Sequence, residues 1–127
     1  MDENTTKYGI GIGLALWVIA IAIQGIYNGI IGIINPFLWL LSSLEAIEFF
    51  VWLLSGGSIQ LFLDNLASSE AGLVLAGIVG LLAWVVTFFS AFSHSRETGN
   101  PKRYALIQII YNPFVAIIGS AYYLRKI

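Results

Sequence analysis

The sequence predicts an all-α membrane protein: four transmembrane helices, with a short amphipathic helix at the membrane surface between the second and third. Three observations carry that prediction. The chain of 127 residues is 58% hydrophobic. Only 10% of it is charged, against about 25% in an ordinary soluble domain. The charges are also bunched, which leaves uncharged runs at Tyr8 to Leu44, Phe49 to Leu63, Ala71 to Ser93 and Tyr104 to Leu124. Several of these exceed the roughly 18 apolar residues that mark a spanning helix. Such a chain has too few polar groups to clothe a surface in water, so the lipid bilayer is its expected solvent.

Span 1 is expected over about 8–34. The residues before it are acidic (Asp2, Glu3), and the apolar run is longer than the roughly 7–15 residues of a cleavable signal, so an uncleaved first span is the reading. Asn35-Pro36 then starts a new helix. Asn is a good N-cap, and Pro suits the first helical position because its missing N–H has no partner there anyway. Span 2 covers about 37–55 and ends at Ser55-Gly56-Gly57-Ser58. In the stretch 58–67, Ile59, Phe62, Leu63 and Leu66 recur at i, i+3, i+4 and i+7, one face of a helix too short to span.

Ser69 before Glu70 is an N-cap signature with an acid in the first turn, where the helix dipole favours it. Span 3 covers about 70–92, and a polar loop is expected from Ser93 to Asn100. Asn100-Pro101 repeats the cap seen at Asn35-Pro36, and span 4 covers about 102–124. Asn112-Pro113 in its middle predicts a kink, or alternatively a re-entrant hairpin. Ile33-Ile34-Asn35-Pro36-Phe37 is echoed by Ile110-Tyr111-Asn112-Pro113-Phe114.

Basic residues do not settle the orientation if four spans are counted. Lys7, Arg125 and Lys126 would then face Arg96, Lys102 and Arg103 across the bilayer, three against three. A re-entrant fourth segment would instead put five basic residues on one side. The expected orientation has both termini in the cytoplasm.

Composition excludes several functions. A net charge of −1 with no basic stripe argues against nucleic acid. The absence of cysteine removes disulfides, iron–sulfur clusters and thiolate metal sites. One histidine, His94, cannot supply a bis-histidine haem site, and it reads as a solvated interfacial residue. No cofactor or metal site is expected. No nucleophile–base pair or phosphate loop is present, so the chain is not expected to be an enzyme.

Two acids stand out. Glu45 sits near the centre of span 2 and Glu48 one turn on, about 60° round the helix, with Ser42 on the same side. An acid at the bilayer centre costs a few kcal/mol and so usually faces a bundle interior. Two carboxylates this close in hydrocarbon favour a shared proton over two charges. Gln24 and Asn28 of span 1, with Gln108 and Asn112 of span 4, are expected to point toward them as a polar core. Such a core would be either a proton or ion path or a set of interhelical hydrogen bonds.

The expected packing seam is a stripe of small residues on span 3. Gly72, Ala76, Gly80, Ala83, Thr87, Ser90 and His94 fall within about 80° of arc, the pattern that lets helix backbones approach. Gly25 and Gly29 give span 1 a shorter version. Tyr8, Tyr104, Tyr122 and Tyr123 read as anchors near span ends.

In size and span count the chain resembles small multidrug transporters and dual-topology fluoride channels. Thr87-Phe88-Phe89-Ser90-Ala91-Phe92-Ser93 resembles the Thr/Phe/Ser segment of the latter. The remainder of that pattern is missing, and the multidrug glutamate lies in a first span rather than a second, so no functional residue carries over. The expectation is a non-enzymatic subunit or assembly factor of a membrane complex, partnered by itself or by other membrane subunits. The alternative is a homo-oligomeric channel or transporter using Glu45 and Glu48.

Overall fold

Hydrocarbon offers the backbone no hydrogen-bond partners, so a spanning segment must satisfy its own N–H and C=O groups, and a helix does this within one strand of chain. The computed structural model describes residues 3–57, 69–98 and 106–126, and among them no strand occurs. α1 runs Glu3–Ile34, α2 Pro36–Leu54 and α3 Ser69–Thr98. A 3-10 turn at Ile107–Ile109 precedes α4, Pro113–Lys126. The first three helices are each long and apolar enough to cross a membrane. The expected amphipathic segment 58–67 and the Asn100-Pro101 cap lie outside the described residues.

Local chemistry sets the helix ends. Asn35 Oδ1 accepts from the Phe37 backbone N–H at 2.9 Å, with Pro36 in the first turn. Asn112 does the same for α4, accepting from Phe114 N at 2.9 Å and Val115 N at 3.3 Å. Asn112-Pro113 therefore begins a new helix, where a kink within a continuous one was expected. Ile110 is extended (φ −65°, ψ 120°) and separates the 3-10 turn from α4. At 14 residues α4 is about 21 Å long, short of the roughly 30 Å hydrocarbon core.

Two further expectations are corrected. α3 continues through Ser93 to Thr98, where a polar loop was expected. His94 and Ser95 are buried, not solvated: Ser95 Oγ donates to the Phe92 carbonyl at 2.9 Å, and His94 pairs with Tyr123. α1 is not one straight rod, because Gly29 (φ 68°, ψ −162°) interrupts it.

The chain divides into two compact units: Met1–Val18 with Leu81–Ile127, and Ile19–Gly80. In the first, Gly9 lies against Ser90, and Gly13 against Thr87 and Ala83, so the early turns of α1 run antiparallel to the late turns of α3. Ile10, Ala91 and Tyr123 form its buried core, with Leu14, Phe92 and Leu124 packed around them. His94 Nδ1 and Tyr123 Oη are 2.5 Å apart, which ties the end of α3 to the end of α4. Tyr123 is thus a core residue, whereas Tyr8 and Tyr122 are exposed as anchors would be. Trp17 is fully buried, and its ring meets that of Tyr111 edge-on at 5.4 Å.

In the second unit, Gly72 of α3 lies against the Tyr27 ring, and Gly77 against the Ser42 carbonyl and Ala46 of α2. Trp39 is fully buried and donates its indole N–H to the Ile33 carbonyl at 2.6 Å, closing the connection between α1 and α2.

Candidate functional site

The polar groups of the second unit form a short relay. Asn28 Nδ2 donates to Gln24 Oε1 at 3.0 Å, one turn apart on α1. Gln24 Nε2 donates in turn to Ser42 Oγ on α2 at 2.7 Å. Gln24 and Ser42 are fully buried. Each bond removes a polar group from apolar surroundings, which makes the pair a specific clamp between α1 and α2 rather than a ligand site.

The clamp leads to a quantitative expectation. Gln24→Leu and Ser42→Ala should each destabilise the chain by about 1 kcal/mol, and the double variant by less than their sum. Equilibrium unfolding in bicelles checks this. Strictly additive losses would mean that the two side chains do not act as a pair.

Gln24 is engaged by Ser42, a residue N-terminal of the acids on α2, and Asn28 by Gln24. Asn112 caps α4, and Gln108 is buried. Glu45 is half-buried and Glu48 is exposed. Around Glu48, Leu44, Ile47 and Val51 are also exposed, so that carboxylate stands on an outward apolar face. α2 buries Trp39, Ser42, Ser43 and Ala46 and turns most of its remaining side chains outward.

The small-residue stripe of α3 is buried along its length. Gly72, Ala76 and Gly80 are buried in one unit, and Ala83, Thr87, Ser90 and His94 in the other. Thr87 donates its hydroxyl to the Ala83 carbonyl at 2.8 Å, so it adds no polar cost to the seam. Gly25 faces Ile33 of its own helix, and nothing lies near Gly29, whose role is in the backbone.

Gly77 escaped the sequence reading because it lies off that stripe. Its signal was the additional glycine between Gly72 and Gly80, which gives α3 a second face of close approach, toward α2. Among the described residues no group of histidines and carboxylates is arranged to hold a metal ion.

In comparisons with known proteins, no family model, no curated protein and no solved structure matches the chain.

Proposed function

We propose that the chain is a non-enzymatic subunit or assembly factor of a membrane complex and that α2 makes the contact. The supporting observation is Glu48, exposed among Leu44, Ile47 and Val51. A carboxylate left among hydrocarbon tails costs a few kcal/mol, which a hydrogen-bond donor or a basic group on a neighbouring helix would offset. The chain carries no lysine or arginine between Lys7 and Arg96. A second copy therefore presents no basic residue from α2, and another membrane subunit is the better complement. The buried small-residue stripe serves the chain's own packing and leaves the outward face of α2 for that partner. In this reading the segment 58–67 lies at the interface as an amphipathic helix.

The rival function, proton or ion passage through Glu45 and Glu48, calls for acids lining a shared polar interior; against it stands that Gln24 is engaged by Ser42 and Asn28 by Gln24. One pair of measurements separates the two. A photo-crosslinker at Leu44 or Val51 should capture one fixed membrane protein in native membranes, and Glu48→Leu should abolish the adduct. Purified chain in liposomes should give no flux. Proton or ion flux that disappears in Glu45→Gln with Glu48→Gln would reverse the assignment, and an adduct only with itself would make the complex a homo-oligomer.

A further inference from the structure

We infer that the N-terminus, the end of α3 and the C-terminus all lie on the cytoplasmic side, and that the fourth apolar stretch enters the bilayer and leaves it on that same side. Gly9 meets Ser90 while Gly13 meets Thr87 and Ala83, so as α1 advances α3 recedes. The start of α1 and the end of α3 therefore share a side. The His94–Tyr123 hydrogen bond and the Ile10–Ala91–Tyr123 core bring the end of α4 to that side too.

The other end of α4 fixes how deep the stretch goes. Tyr111, just before α4, meets Trp17. Trp17 lies about 15 Å along α1 from Lys7 at 1.5 Å per residue, which is the middle of a hydrocarbon core of roughly 30 Å. The chain leaves α3 at Thr98, reaches mid-bilayer at Tyr111, just after the extended Ile110, and returns through α4. The length of α4, about 21 Å, suits a return from the middle and falls short of a full crossing. Non-helical backbone at this depth is tolerated where protein covers it; here Trp17 packs on Tyr111 and Gln108 is buried, while Ile109 and Ile110 turn outward.

Charge then gives the orientation. Of the six basic residues, Lys7, Arg96 and Arg125 are exposed at the shared end, and Lys126 follows Arg125. The balance of three against three that four crossings imply is thereby replaced by a strong bias to one side. Short basic segments flanking membrane helices stay in the cytoplasm.

The absence of cysteine makes the test clean. Single variants Thr5→Cys, Glu97→Cys and Arg125→Cys, with Asn4→Cys and Arg96→Cys as second choices at the first two positions, are treated with a membrane-impermeant thiol reagent. Intact cells are compared with inverted inner-membrane vesicles. All three positions should label at least tenfold more in inverted vesicles. Opposite sidedness of Thr5 and Glu97 would overturn the antiparallel pairing. Opposite sidedness of Glu97 and Arg125 would restore a fourth crossing. Equal labelling from both sides would replace the single orientation with a dual one, and labelling of all three only from outside would overturn the cytoplasmic assignment.

Discussion

Gly77→Ala is expected to destabilise the fold by roughly 1–3 kcal/mol, and Gly77→Val by more. A Cβ at this position would lie 2.6 Å from the Ser42 carbonyl carbon, nearer still to its oxygen, and 2.9 Å from the Ala46 Cβ. The obstacle is backbone, so no rotamer change relieves it, and α2 must move off α3. Ser42 moves with α2, and its 2.7 Å hydrogen bond from Gln24 is strained or lost. A buried amide would then lack its partner in surroundings where water cannot replace it. Between membrane helices there is little hydrophobic force to compensate, since lipid is as apolar as leucine and association rests on close packing. Gly11→Ala is the control: it is the same substitution at an exposed helical site with nothing near the added carbon, and it should be neutral or slightly stabilising. Steric-trapping or SDS unfolding curves compare the two. Equal midpoints for Gly77→Ala and Gly11→Ala would rule out the close approach of α2 and α3.

What the sequence revealed was local. The Asn-Pro caps depend on a side chain reaching two residues along, so Asn35 could be read from local chemistry, and its echo at Asn112 was visible as an echo. The small-residue stripe of α3 could be read because helical periodicity fixes which residues share a face. Which helix that face meets is a tertiary fact. His94 and Tyr123 are 29 residues apart, and no spacing rule joins them. A histidine among serines near a charged loop therefore read as solvated, when a tyrosine from the last helix draws it inward. The acids illustrate the same limit. Periodicity shows that Glu45 and Glu48 share a face of α2, but not that Gln24 is engaged by Ser42 and leaves Glu48 facing outward. The sequence leaves the direction of the last stretch open, as a kinked span or a re-entrant hairpin. An apolar stretch of spanning length looks alike whether it crosses or doubles back, and the distinction rests on contacts such as Trp17 with Tyr111.

Gly29→Ala should cost about 1–3 kcal/mol although the added methyl touches nothing. Gly29 is exposed, with open space around the site of a Cβ. Its cost lies in the backbone, at φ 68° and ψ −162°, a region that L side chains scarcely enter. Alanine is also the best helix former, so the substitution pulls α1 toward a straight rod. Straightening would withdraw Ile33 from Gly25 and Gly32 from Asn28, and would displace the Ile33 carbonyl that accepts from Trp39. Because the strain depends on handedness, chirality can test it. A D-alanine placed at residue 29 by chemical ligation experiences the mirror angles, about φ −68° and ψ 162° for an L residue, which lie in the allowed polyproline region. The D-alanine protein should therefore keep near wild-type stability in detergent unfolding while the L-alanine protein loses it. Equal losses for both would point to the missing glycine's flexibility rather than its conformation, and no loss for either would mean that α1 is straight through residue 29.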